Sequence, residues 1–181
     1  MSEKKFSSRD RRKPLIFFVT GAAGTGKTVI IPSLYPLCPK HIVIDMDALY
    51  PTLEDWNSIK SSWIYVAYQL YLNRRISIIC GMFFPYEFER VDISHLFTPY
   101  FIRLCCSDEE IIERLAARGW PEEKIREQQM CNQWIINHEE EFNSKSPLID
   151  TSLISPCEVS TKIAKFIKTT CVKAHRSLYS G

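Results

Sequence analysis

The sequence predicts an α/β domain: a doubly wound, parallel five-stranded sheet held between two layers of helices. Three observations predict it. Short apolar runs of strand length alternate with helical patterns along the chain. Those runs are apolar at nearly every position, as strands buried on both faces of a parallel sheet must be. The first run ends in a glycine-rich turn that opens a helix, the strand–loop–helix order of a phosphate site. A length of 181 residues suits one domain, and 45% hydrophobic with 24% charged residues describes a globule rather than a disordered chain.

Residues 1–13 carry Lys4, Lys5, Arg9, Arg11, Arg12 and Lys13 against Glu3 and Asp10, and read as a flexible basic tail. Residues 14–175 read as a single domain. Leu15, Ile16, Phe17, Phe18 and Val19 make the first strand. The helix after the glycine-rich turn is expected to end before the proline-containing stretch 35–39. His41, Ile42, Val43 and Ile44 form the second strand, which closes on Asp45, Met46 and Asp47. Residues 57–73 place Trp63, Val66, Ala67 and Leu70 at three- and four-residue spacings, the pattern of a helix with one apolar face. Residues 75–80 are a third strand ending at Gly81, and residues 101–106 a fourth. Ser107 with Glu110 three positions later is a capping signature, so a helix starts there and runs to about Arg118. Gly119, Trp120 and Pro121 interrupt it before a charged helical pattern over 122–143. Residues 147–150 give the last strand, and 156–173 a final helix with Val159, Ile163, Phe166 and Ile167 on one stripe.

The strongest chemical signal is Gly21, Ala22, Ala23, Gly24, Thr25, Gly26, Lys27 and Thr28, which fits G-x-x-x-x-G-K-[ST] between a strand and a helix. Glycines let the backbone curl until successive N–H groups converge on phosphate oxygens, and the helix N-terminus adds its positive end. Lys27 is expected to neutralise β/γ-phosphate charge and Thr28 to offer its hydroxyl to Mg²⁺. The expected ligand is a nucleoside triphosphate, ATP with Mg²⁺. No Asn-Lys-x-Asp is present to read a guanine base. Asp108 and Glu109 are the only acidic pair after an apolar strand, and they sit in a helix's first turn, where acids serve the cap and the dipole.

The other strand ends must decide what becomes of the γ-phosphate, because ligands of such sheets collect there. Asp47 is the expected base that orients an acceptor hydroxyl, and Asp45 the expected outer ligand of Mg²⁺. The competing reading is that both acids cap the next turn. Arg114 and Arg118 share a helix face and are expected to close over the moving phosphoryl group, against the alternative of an exposed network with Glu110 and Glu113. Gly81 is expected to admit substrate to the backbone, with Phe83 part of an apolar wall behind it, unless those aromatics are core.

Other chemistries have little support. The seven cysteines and four histidines are scattered, with neither a Cys-x-x-Cys pair nor metal-ligand spacing. No apolar run has membrane-spanning length, and the start lacks the apolar segment of a signal peptide, so a cytoplasmic protein without membrane contact is expected. The net charge of +2 weighs against nucleic acid as partner, although the basic tail and Lys165, Lys168, Lys173 and Arg176 would suit phosphates.

These features resemble the P-loop small-molecule kinases, the group with shikimate kinase, gluconate kinase, chloramphenicol phosphotransferase, the nucleoside and nucleotide kinases and AAA-type relatives. The resemblance spans about Leu15 to about Ile167. It rests on the P-loop, on Ile44-Asp45-Met46-Asp47-Ala48-Leu49, on Gly81-Met82-Phe83-Phe84-Pro85, and on Glu113-Arg114-Leu115-Ala116-Ala117-Arg118. Asn132-Gln133-Trp134-Ile135, Ile149-Asp150-Thr151-Ser152 and Pro156-Cys157-Glu158-Val159 add to it. It implies a nucleoside-monophosphate-kinase-like sheet, Asp47 as acceptor-binding acid, a lid near 114–130 with Arg114 and Arg118 in it, and Asp150 and Thr151 in the loop beside the adenine. Acids rather than bases follow Pro121, a departure from many such lids. The implied activity is ATP-dependent phosphotransfer to a hydroxyl of a small molecule such as a nucleoside, nucleotide, metabolite or antibiotic. A polynucleotide 5′-hydroxyl kinase and a regulatory ATPase acting through a partner are the alternatives.

Overall fold

The computed structural model describes residues 13–142 and 146–176; the basic stretch 1–12 lies outside them. Five parallel strands, β1 (Leu15–Thr20), β2 (His41–Asp45), β3 (Ile76–Cys80), β4 (Thr98–Cys105) and β5 (Leu148–Asp150), form one sheet in the order β2-β3-β1-β4-β5. The central place of β1 follows from its composition, since Ile16, Phe17, Phe18 and Val19 are all fully buried. Alternate residues serve opposite faces. Ile16 and Phe18 enter one core with Ile59, Ile64 and Phe101, while Phe17 and Val19 enter another with Ile30, Leu34 and Ile163.

Helices cover both faces: α1 (Lys27–Leu37) and α6 (Pro156–Arg176) on the second core, α2 (Trp56–Leu72), α3 (Pro85–Glu89) and α5 (Glu122–Asn137) on the first, with α4 (Asp108–Ala116) packed on α5. From β1 the chain moves out to β2, returns to β3 beside β1, and crosses to β4 on the other side. That reversal opens a crevice at the carboxyl ends of the strands.

Several boundaries differ from those expected. α1 continues through Pro32 and Pro36 to Leu37. Each proline forgoes one helical hydrogen bond, and burial of Ile30, Ile31 and Leu34 offsets the loss. β4 starts at Thr98, ahead of the expected Phe101, because β5 pairs with it only from Arg103 and the early part of that edge tolerates Pro99. α5 stops at Asn137, where a short 3₁₀ turn over Glu139–Glu141 replaces the expected continuation. Three further elements were not anticipated: the 3₁₀ turns Met46–Leu49 and Ser94–Leu96, and helix α3. Gly119, at φ 75°, stands between α4 and α5 as its sequence position suggests. Among the described residues no helix is long and apolar enough to cross a membrane.

Candidate active site

The loop after β1 is tight because glycine stands where it must. A Cβ on Gly21 would lie 2.5 Å from Thr25 Oγ1 and 2.7 Å from the Leu104 carbonyl oxygen. Gly24 and Gly26 both take φ 89°, a left-handed backbone costly for other residues. Thr25 is buried and its hydroxyl donates to the Ala22 carbonyl at 2.8 Å, which locks the curl. Lys27, first residue of α1, turns back so that its ammonium donates to the carbonyls of Gly21 (2.7 Å) and Ala22 (2.8 Å). Burial lowers the Lys27 pKa to about 8, opposed by the negative charge of Asp47. Thr28 presents an exposed hydroxyl one residue on.

On the α6 side of the loop lies a cavity of about 290 Å³, lined by Gly24, Gly26, Val29, Arg118, Ile154 and Pro156 among others. Its apolar walls suit a flat ring. Arg114 and Thr151 brace it. Arg114 donates to the Gly24 carbonyl (3.0 Å), to Thr151 Oγ1 (3.3 Å) and to the Thr151 carbonyl (3.2 Å), and pairs with Glu110 at 2.6 Å. The i, i+4 pair and the loop contact therefore coexist. Thr151 Oγ1 is also within hydrogen-bond distance of the carbonyls of Thr25 and Cys105, so it ties the loop to β4 as well as lining the cavity. Arg118 is exposed at the rim, and no ion pair involves it among the described residues.

On the β2 side stand the two acids. Asp45 ends its strand and caps the following 3₁₀ turn, accepting the Asp47 N–H through Oδ1 at 3.1 Å. An unbroken strand would put residues two apart on one face; the turn breaks that periodicity between them. Partial desolvation and the neighbouring Asp45 raise the Asp47 pKa, while Lys27 lowers it. The charges of Lys27 and Asp47 thus each oppose the shift that burial imposes on the other. Asp45 and Thr28 offer the hard oxygen donors that Mg²⁺ prefers.

Gly81 and Phe83 hold different places from those expected. Gly81 is buried, and a Cβ on it would fall on the Met46 side chain, whose Sδ would be 2.9 Å away. The absent side chain makes room for Met46 and so seats the turn that carries Asp47. Phe83 is fully buried, 4.7 Å from the Phe18 ring, with its N–H donated to Thr20 Oγ1. It is core and not a wall open to substrate, because its ring packs under β1.

Above Phe83 lies a second cavity of about 160 Å³, lined by Asn57, Lys60, Ser61, Glu87, Arg90 and Val91. Lys60 sits 5.5 Å over the Phe83 ring and pairs with Glu87 at 2.5 Å. Glu87 also accepts the Phe84 N–H, at 2.8 Å.

Sequence reasoning passed over Lys60 and Gln128. Gln128 Oε1 accepts the N–H of Ala23 in the phosphate loop at 2.9 Å. Its spacing from Ile125 and Asn132 was the available signal, since all three fall on one helix face. Asp108 accepts from Gln133 at 3.3 Å in the first turn of α4, as a helix-end acid would. No cluster of three or more metal-binding side chains occurs among the described residues.

No protein-family model matches the chain, and no curated protein matches it. Solved structures match in fold. A gluconokinase from Sinorhizobium meliloti 1021 superposes with a TM-score of 0.64 at 15% identity, over 92% of this chain and 99% of that one. Shikimate kinase from Acinetobacter baumannii, in complex with shikimate, gives 0.57 at 14%, over 87% and 94%. A chain of the Pnkp1/Rnl/Hen1 RNA repair complex gives 0.56 at 18%, over 76% of this chain and 49% of that one. The chain thus has the fold of the P-loop small-molecule kinases.

Proposed function

We propose that this protein transfers the γ-phosphate of ATP, with Mg²⁺, to a hydroxyl of a small polar molecule. The observation that carries the reading is the glycine-rich loop between β1 and α1, with the Lys27 ammonium folded back onto the Gly21 and Ala22 carbonyls, and Asp45 and Asp47 at the carboxyl end of β2 in the same sheet. The loop from Gly21 to Thr28 binds the triphosphate through its N–H groups and Lys27, and Arg114, Thr151 and the apolar cavity hold the base. Thr28 and Asp45 hold Mg²⁺, which when bound offsets phosphate charge. Asp47 accepts the proton of the acceptor hydroxyl as its oxygen bonds to the γ-phosphorus and the bond to the β,γ-bridging oxygen breaks, releasing ADP. Arg118, exposed at the rim, steadies charge on the transferred group. Asn57, Ser61 and Arg90 give the acceptor hydrogen bonds and one positive charge.

Residues 14–175 work as one kinase domain in this reading, with 114–130 as its lid, in the cytoplasm. Transfer of radiolabelled γ-phosphate from ATP to a sugar, sugar acid, nucleoside or nucleotide, resolved by chromatography, tests the proposal. Label that appears only as inorganic phosphate would instead favour the regulatory ATPase.

A second reading, a polynucleotide 5′-hydroxyl kinase, draws on the exposed Tyr50 and Trp56 rings, stacked 5.0 Å apart beside Asn57 at the polar cavity. Such rings can stack on bases. Oligonucleotide binding that falls steeply with salt would favour it, and no binding at low salt would exclude it.

A further inference from the structure

The polar cavity between α2 and α3 is built on two helix faces. Asn57, Lys60 and Ser61 stand at three- and four-residue spacings on α2, and Glu87, Arg90 and Val91 repeat those spacings from α3 onward. Its volume of about 160 Å³ is below the roughly 300–1,000 Å³ of a pocket for a whole ligand, so it takes one functional group. Two cations and one acid line it, and the acid is already engaged at both oxygens. Glu87 Oε1 takes the Lys60 ammonium at 2.5 Å, and Oε2 takes the Phe84 N–H at 2.8 Å. Lys60, only 7% exposed, gives Glu87 one of its three N–H bonds. Arg90 stands at the exposed mouth with its guanidinium 5.4 Å over the Tyr86 ring, and no carboxylate pairs with it among the described residues. The cavity thus offers one net positive charge and more donors than acceptors.

Two chains of contact tie this cavity to the carboxyl end of the sheet. The Lys60 ammonium at its floor lies 5.5 Å from the Phe83 ring, and the Phe83 N–H is donated at 3.1 Å to Oγ1 of Thr20, the residue before Gly21 of the phosphate loop. Trp63, one turn along α2 from Lys60, donates its Nε1–H at 3.0 Å to the Met46 carbonyl, in the turn that carries Asp47. A planar guanidinium beside a buried ammonium matches the oxygens of a carboxylate or a phosphate monoester. We infer that this cavity is an anion subsite, in which Arg90 and Lys60 hold a carboxylate or phosphate-monoester group of the molecule that accepts the γ-phosphate. The inference rests on the kinase reading and deepens it: the acceptor is an anion, such as a sugar acid or a nucleotide, and not a neutral sugar or nucleoside. Glu87 keeps the Lys60 charge from excess when the cavity is empty, and Arg90 is the cation left for the ligand.

The test titrates the full chain, with ADP and Mg²⁺ in excess to fill the phosphate loop, with acetate and with methyl phosphate, followed by NMR at the Arg90 Nε–H and the Ser61 amide. Saturable shifts at both positions are expected, absent with neutral acetamide and lost in Arg90→Gln. The anion that binds tighter tells a carboxylate site from a phosphate site. Arg75→Gln, the same charge change at the opposite end of β3, should keep the shifts. Transfer supplies the second arm, with gluconate offered beside glucitol and AMP beside adenosine. The anionic member of a pair should be the better acceptor, and Arg90→Gln should raise its KM about 10- to 100-fold with a smaller effect on kcat, the size expected for hydrogen bonds to a charged group. Absent shifts, shifts that survive Arg90→Gln, or equal use of the neutral members would overturn the subsite and leave phosphotransfer standing. Anion binding at Arg90 without transfer to any acceptor would instead keep an anion site and remove the acceptor, and the kinase reading with it.

Discussion

The Asp45 carboxylate accepts the backbone N–H of Asp47 at 3.1 Å, so the first acid builds the turn that presents the second. Asp45 therefore caps the turn, while Asp47 is exposed within it. The two acids are not interchangeable, and their variants should differ in kind.

Asp47→Asn should retain ATP affinity and lose about 10²- to 10⁴-fold in transfer, the usual range for a removed general base. Asp45→Asn should chiefly raise the Mg²⁺ concentration needed for half-maximal rate. Steady-state kinetics with varied Mg²⁺ separates them; the opposite pattern would exchange the roles assigned here.

Lys27 gives a pH signature. Its pKa in the empty protein is about 8, and phosphate charge favours the ammonium, so binding near pH 8 should take up about half a proton per nucleotide. Affinity should then fall as pH rises through that value. Between about 8 and the unperturbed value of about 10.4 the unfolded chain holds a proton that the folded one has released, so this group's penalty on folding diminishes as pH rises across that window. Calorimetry in two buffers of different ionisation heat measures the uptake, and a value of zero at pH 8 would contradict it.

Gly81→Ala should be costly although it adds one methyl group. Its Cβ would collide with Met46, and overpacking of this kind typically destabilises by about 1–3 kcal/mol. Displacement of Met46 would also move Asp47, so urea unfolding and transfer rate should both respond. Wild-type behaviour in both would mean that the Met46 contact can relax freely.

The two arginines should separate by readout. Arg114→Ala removes contacts to Gly24, Thr151 and Glu110 and should lower both stability and nucleotide affinity. Arg118→Ala, at an exposed position, should leave thermal stability unchanged and cost kcat about 10²-fold. Loss of stability without loss of rate in Arg118→Ala would remove it from the site.

Much of the fold was legible because it follows from local rules. Apolar runs such as Phe17 to Val19 can only be central strands, and a glycine-rich turn that opens a helix fixes where the phosphate loop sits. Pro36 misled because tertiary burial of Leu34 and Ile31 outweighs its local penalty. Gly81 and Phe83 have the residue types of a substrate wall, and only the packing of Met46 and Phe18 reveals them as supports. Lys60 and Gln128 were hidden for another reason: their partners, Glu87 and Ala23, lie 27 and 105 residues away, and no local pattern records such a pairing.

Acceptor-stimulated ADP release tests the central claim most directly. Purified protein with ATP and Mg²⁺ would be offered nucleosides, nucleotides, sugars, sugar acids and antibiotic alcohols in turn, beside an acceptor-free control. Stimulation by one class, abolished in Lys27→Ala and in Asp47→Asn, is the predicted result. A slow rate indifferent to every acceptor, lost in Lys27→Ala but intact in Asp47→Asn, would contradict phosphotransfer and leave an ATPase.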